Sequence, residues 1–270
     1  MMDDRFMPGN DWGLIRLAIF FGGLGLFLCL ELIAPYRPAS VSKLRRWMIN
    51  LGLAAFNTLA LRLIFASAII QTAAQVSHQR LGLLNMQPLP HWAGILITII
   101  FLDFILYVWH LLNHEMPLLW RFHRVHHCDL NMDASTATRF HLGELAISAV
   151  IKIGLIFFLG ADVLGVIWFE ILVVFTAQFQ HSSLKVPAWF EKIYWVLFVP
   201  PAMHRIHHSV VIKERNTNYG TIFSVWDWLL GTMLTRVDQI GIKIGVGAYP
   251  DARKLGLGQL LVMPFTKPAP

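Results

Sequence analysis

Residues Leu145–Phe179 read LAISAVIKIGLIFFLGADVLGVIWFEILVVFTAQF. The stretch is apolar almost throughout, and its charges are Lys152, Asp162 and Glu170. Read as one continuous helix, it crosses a membrane once and puts everything before it on the opposite side from everything after it. Read as broken at Gly160-Ala161-Asp162, it is a hairpin of two halves of about 15–18 residues, each marginal for a hydrocarbon core of about 30 Å. A hairpin returns the chain to the side it left. Gly and Asp are turn formers, so the hairpin is the expected fold.

Three more apolar runs precede it, at about Trp12–Ile33, Trp47–Ala74 and Trp92–Leu112. Each has about 20 residues or more, and a rise of 1.5 Å per residue carries such a run across the core. Composition agrees. Of 270 residues, 56% are hydrophobic and 14% charged, against roughly 25% charged in soluble domains. Mean hydropathy is +0.57. The formal charge of +6 does not point to nucleic acid, because the basic residues form no single patch. They fall between apolar runs: Arg37, Lys43, Arg45 and Arg46, then Arg121, Arg124 and Arg139, then Lys185, Lys192, Arg205, Lys213 and Arg215. The alternate loops hold only Arg80 and Asp162. The positive-inside rule then places the N-terminus outside and the basic segments in the cytoplasm.

The opening Met-Met-Asp-Asp-Arg is acidic and no small-residue cleavage site follows the first run, so that run is expected to be retained. Cys29 and Cys128 imply no disulfide framework. Cys128 follows His127, as a ligand or as a small buried hydrophobe. Trp12, Trp47 and Trp92 read as interfacial anchors. Lone histidines His78 and His91 read as loop or interfacial residues. Arg62 within the second run, and Lys152 and Glu170 within the hairpin, are open to structural or substrate-lining roles. The expected fold is all-α, a multi-pass transmembrane bundle of about four to five membrane helices including the hairpin. A cytoplasmic helical cap holds a histidine-rich dimetal site. Residues 1–90 are read as N-terminal membrane helices, 91–235 as the catalytic region and 236–270 as a cytoplasmic tail of the same integral domain.

The histidines carry the chemistry. His110-Leu-Leu-Asn-His114 is followed by His123-Arg-Val-His126-His127, and much later by His204-Arg-Ile-His207-His208, with His141 and His181 between. For 12 histidines in 270 residues, chance predicts roughly 0.02 occurrences of HxxHH, and two copies far fewer. On a helix, positions i, i+3 and i+4 share a face, so each box presents clustered imidazoles. Imidazole suits iron, zinc, copper and nickel alike. One tetrahedral zinc uses four ligands; eight boxed histidines are too many for one ion and right for two. All-imidazole sites leave the metal charge uncompensated, so nearby carboxylates are expected to orient the ligands. Asp103, Glu144 and Asp227 are the candidates. Asp103 lies seven residues before His110, on the same helical face. The boxes also sit where apolar runs end, within reach of a lipid tail.

At these residues the chain resembles the fatty acid hydroxylase/sterol desaturase superfamily. The three boxes match, as do Asp103 and Tyr107, Arg139-Phe140-His141 with Glu144, Gln180-His181-Ser182, Asn218-Tyr219-Gly220, Trp226-Asp227 and Gly231-Thr232. Leu142 stands where the family often has proline. The resemblance covers roughly Leu102–Thr232. It implies two iron ions, O2 as co-substrate, and hydroxylation or desaturation of a C–H bond in a sterol, fatty acyl chain or ether lipid. It implies metal ligation by His110, His114, His123, His126, His127, His181, His204, His207 and His208, with His141 as a tenth ligand or a supporting group. Zinc can replace iron in purified protein. It also implies a separate cytochrome b5- or ferredoxin-type electron donor, and residence in the cell (inner) membrane with the catalytic face cytoplasmic.

Two other classes compete. A metal transporter would place histidines through the bilayer midplane and tends to show inverted repeats; these boxes cluster at one exit and no repeat is visible. A metal-stabilised scaffold needs fewer ligands than are present.

Overall fold

The computed structural model describes residues 11–65 and 68–267. Among them the chain is helical, with isolated β-bridges only. Four helices are long and apolar enough to cross a membrane: α1 (Asp11–Ile33), α4 (His91–Glu115), α6 (Leu142–Leu159) and α7 (Val163–His181). The protein is a multi-pass membrane protein.

The hairpin forms at the expected break. α6 ends at Gly160, whose φ of 72° is left-handed, a conformation open to glycine at little steric cost. Asp162 then caps α7 by accepting from the Gly165 amide (3.0 Å). Both helices therefore place one end at the turn and the other at the histidines. The turn is locked from the side. Gly82, also left-handed at φ 83°, packs against Gly160, and Asn85 donates to the Gly160 carbonyl (3.1 Å). A Cβ on Gly160 would stand 2.5 Å from the Leu81 carbonyl oxygen.

The second apolar run forms α2 (Lys43–Phe65) and α3 (Ala68–His78), on either side of residues 66–67, which lie outside the described residues. α2 carries a polar face. Arg46, Asn50 and Asn57 point inward and are buried. Together α2 and α3 carry the chain from the histidine end to the Gly82–Gly160 contact at the other. α3 joins α4, α6 and α7 in the main apolar core, built from Ala73, Val76, Ile99, Leu102, Ile156, Leu159, Val166 and Phe169. The side chain of Arg62 lies outside the described residues, as does that of Trp12.

The remaining helices cap one end: α5 (Pro117–His127), α8 (Ala188–Tyr194), α9 (Pro201–His207), α10 (Ile212–Arg215), α11 (Val225–Leu229) and α12 (Leu257–Val262). Pro117 and Pro201 open α5 and α9, where a missing N–H is harmless. A second core of Leu53, Trp120, Val125, Cys128, Leu255, Leu260 and Met263 fastens the C-terminal segment onto α2 and α5.

Several arginines assigned to loops by the charge pattern are interior. Arg46, Arg124, Arg139, Arg205 and Arg215 are all buried. Arg46 donates to Asp129 (2.5 and 2.6 Å) and Asp133 (2.6 Å). Trp47, expected at the interface, donates to Asp133 (3.1 Å). Burial works to raise the Asp129 carboxyl, but the charge of Arg46 outweighs it and holds the group below the ordinary carboxylate range. This network ties α2 to the loop that leads out of α5.

Two outcomes follow from the hairpin. With Cys29 replaced by Ala, single cysteines at Leu118 and Lys213 should label from the same face of sealed vesicles, and one at Met86 from the other. Labelling of Leu118 and Lys213 from opposite faces would defeat the fold. Gly160→Ala should destabilise by at least about 1–2 kcal/mol from the left-handed strain alone, read by thermal unfolding.

Candidate metal centre

α4 buries one face, and its C-terminal end carries His110 and His114. α5 brings His123, His126 and His127; α7 ends on His181; α9 contributes His204 and His207, with His208 as its C-cap. All nine are buried. Their ring nitrogens form two groups, within each of which the donor atoms lie within 4.8 Å of one another: His110, His114, His123, His127 and His207, and then His126, His181, His204 and His208.

The boxes are divided between the groups. In His123–His127 the i and i+4 residues join the first group and the i+3 residue joins the second. In His204–His208 the division is reversed, with only His207 in the first group. Each HxxHH helix thus spans both sites.

Outer partners fix which nitrogen faces inward. The Nδ1 of His110 donates to the Tyr219 carbonyl (2.8 Å), His181 to Ala177 (2.7 Å), His207 to Thr217 (2.8 Å) and His126 to Arg139 (3.3 Å). A carbonyl only accepts, so these rings carry the proton on Nδ1 and keep a lone pair on Nε2. His123 Nδ1 donates to Glu144 Oε1 (2.8 Å). Such outer partners orient metal-bound imidazoles.

The inward nitrogens then face each other. His126 Nε2 and His181 Nε2 are 3.0 Å apart, yet both protons are committed elsewhere. His181 and His204 approach to 2.9 Å, and His204 and His208 to 3.2 Å. Facing lone pairs repel unless a cation lies between them. Metal–nitrogen bonds of 2.0–2.1 Å put adjacent ligand nitrogens roughly 3–3.5 Å apart, which is this spacing. Among the described residues, both nitrogens of His114 and one each of His127, His204, His207 and His208 have no hydrogen-bond partner, which is costly for buried polar groups. Burial foremost, and neighbouring imidazoles with it, push His126, His127, His204, His207 and His208 well below the ordinary imidazole range. They are neutral at physiological pH, as metal ligation requires. The donor set fits two metal ions.

The other expected residues fall elsewhere. His141 lies outside both groups and has no free nitrogen. Its Nδ1 caps α6 by accepting from the Gly143 amide (2.9 Å), and its Nε2 donates to the Leu261 carbonyl (3.1 Å). Cys128 lies outside as well, donating to the Val125 carbonyl and accepting from Arg139. Of the three carboxylates, only Glu144 hydrogen-bonds to a histidine among the described residues. Asp227 accepts from the Tyr219 (2.8 Å) and Gly220 (2.7 Å) amides and from Thr232. It thereby holds the loop whose Tyr219 carbonyl orients His110. Asp103 accepts from the Ile222 and Phe223 amides and the Trp226 indole, fixing the far end of the same loop. Asn218, left-handed at φ 58°, donates to the Met203 and Leu234 carbonyls and packs the cap.

Sequence reasoning missed the orienting carbonyls of Tyr219, Thr217, Ala177 and Arg139, since a carbonyl is common to every residue. It also missed the Arg46–Asp129–Asp133 network, for which the Arg46/Asn50 and Asp129/Asp133 spacings of four were a signal.

A cavity of about 260 Å³ opens on the metal groups. His110, His123, His126, His181 and His204 line one end. Leu102, Ile105, Leu106 and Trp109 of α4, Leu155 of α6, and Phe169 and Val173 of α7 line the rest. It is mostly apolar and runs along the membrane helices.

A family model described as fatty acid hydroxylase matches residues 95–232. The chain belongs to the fatty acid hydroxylase family. It is 33% identical over 142 residues to an ornithine lipid hydroxylase of Rhizobium tropici, covering 51% of this chain and 41% of that protein. It is 28% identical over 144 residues to the cholesterol 25-hydroxylase of Homo sapiens, covering 52% and 51%. A very-long-chain aldehyde decarbonylase of Oryza sativa subsp. indica is 27% identical over 157 residues, covering 56% and 58%. The chain thus spans about half the length of these curated relatives. No solved structure matches it.

The assignment of nitrogens separates the two kinds of buried histidine. His207→Ala should lose most of the bound metal in membrane-inserted protein. His141→Ala should keep both metals and lose only about 0.5–2 kcal/mol of helix capping. Metal analysis beside thermal unfolding reads both. Metal loss in the His141 variant would return that residue to the ligand set.

Proposed function

We propose that this protein is an O2-dependent di-iron oxidoreductase that hydroxylates or desaturates a C–H bond of a membrane lipid. One observation carries the reading: both histidine groups open on a single apolar cavity that runs along α4, α6 and α7. A purely structural metal site has no use for such a cavity, and its mostly apolar lining suits a lipid tail better than an ion path.

His110, His114, His123, His127 and His207 would hold one iron, and His126, His181, His204 and His208 the other. When bound, the irons supply redox chemistry with O2 strong enough to break an aliphatic C–H bond. The residues of this chain do the rest. The cavity walls align a lipid tail with one methylene at the histidine end, which is the positioning part of catalysis. The apolar lining excludes water and the side reactions it brings. Glu144 keeps its acceptor on His123 and so holds that ring in register. Asp227 and Asp103 act through the Tyr219 loop on His110, as positioning residues. The position of the basic loops favours a cytoplasmic catalytic face in the cell (inner) membrane, where a separate cytochrome b5- or ferredoxin-type donor would deliver electrons.

Purified protein loaded with iron should consume O2 when given a lipid extract and a reductant, and the product should differ from a substrate lipid by one added oxygen or two lost hydrogens. His207→Ala should abolish this while remaining membrane-inserted. Near-normal turnover in that variant, or O2 uptake independent of lipid, would sink the reading. Zinc found in place of iron in purified material would not, because imidazole sites accept both.

A further inference from the structure

The cavity has a second polar feature far from the histidines. Apart from histidine, its charged lining residues are Glu144 and Lys152. Glu144 is committed to His123. Lys152 lies eight residues further along α6, about 12 Å deeper at 1.5 Å per residue. Its ammonium bonds to Glu170 of α7, eleven residues before His181 and so about 16 Å from the histidine end of that helix. Counted along the two helices, the pair thus lies about 12–16 Å from the histidine end.

Glu170 also accepts from Arg16 of α1 (2.9 Å). Two cations therefore share one carboxylate among membrane helices, which leaves a surplus positive charge. A structural ion pair needs only one cation. Charges within membrane helices are expensive and commonly mark a ligand path. Lysine has three N–H donors, and among the described residues Glu170 is the acceptor Lys152 meets. Ile151, Leu155 and Phe169, whose ring lies 5.6 Å from the ammonium, line the cavity beside it, with Ser148 one turn nearer the histidines. Two donors and a net positive charge thus face apolar space large enough for a chain.

We propose that Lys152 binds the carboxylate of a long-chain acid whose tail runs to the histidines, so that the distance from Lys152 selects which carbon is oxidised. This rests on the reading that the cavity takes the lipid substrate. A carboxylate suits the place: it is compact, it uses both donors, and it balances Arg16 and Lys152 against two anions.

The test is binding rather than turnover. The full chain in nanodiscs is titrated with hexadecanoic acid and with its methyl ester, each competing with a fluorescent fatty acid. Metal content and thermal unfolding are followed alongside. Wild type should bind the acid about tenfold more tightly than the ester, the scale of one charge-assisted hydrogen bond. Lys152→Met should lose that preference and Lys152→Arg should retain it. Equal binding of acid and ester by wild type, or an acid preference surviving in Lys152→Met, overturns the proposal. If Lys152→Met does not fold, the wild-type comparison decides alone. Acid preference in a protein that oxidises no lipid would defeat the oxygenase reading and leave this site standing.

Discussion

Nine imidazoles are crowded into one buried layer with ring nitrogens turned toward each other. Without positive charge between them the layer is repulsive, and its unpartnered nitrogens have given up water for nothing. The same layer becomes favourable around two cations. The fold can be read as the set of contacts needed to hold that arrangement at the end of a membrane bundle.

Those contacts form a shell around the layer. Four carbonyls from three segments and the carboxylate of Glu144 grip the outer nitrogens. Behind them, Asp103 and Asp227 brace the loop at residues 218–223, and Thr232 links Asp227 to Tyr107 (2.9 Å) on α4. The Arg46 network holds the loop after α5 against α2. Its charges are buried and mutually satisfied. Such networks add little net stability but are costly to break, and their value here is in fixing position. His141 belongs to the shell in another way, because it starts α6 at the register that puts Glu144 beside His123.

Much of this was legible in the residues. Gly160-Ala161-Asp162 gave the hairpin, because the turn needs a left-handed residue and a cap and both are local requirements. The three boxes marked, by helical spacing, eight of the nine histidines that the fold gathers into two groups. What was not legible depends on tertiary approach. The exchange of His126 and His207 between groups is set by how α5 and α9 cross, which spacing does not encode. The same holds for Asp227, whose partners are amides eight and seven residues earlier. His141 could be read from sequence as a tenth ligand or as a supporting group; its helix-capping contacts depend on the Gly143 amide and on a carbonyl 120 residues away. The buried arginines misled for a related reason: charge patterning counts a side chain as exposed, whereas Arg46 and Arg139 find acceptors inside.

The division of each box between two groups has a consequence for biogenesis. The first group takes four histidines from residues 110–127 and one at 207; the second takes one at 126 and three from 181–208. A ribosome makes these in order. Neither set is complete until the hairpin has been threaded through the bilayer and α9 has emerged. Any ion that needs a complete group could be taken up only after membrane insertion, and a chain truncated anywhere before His207 carries neither group whole.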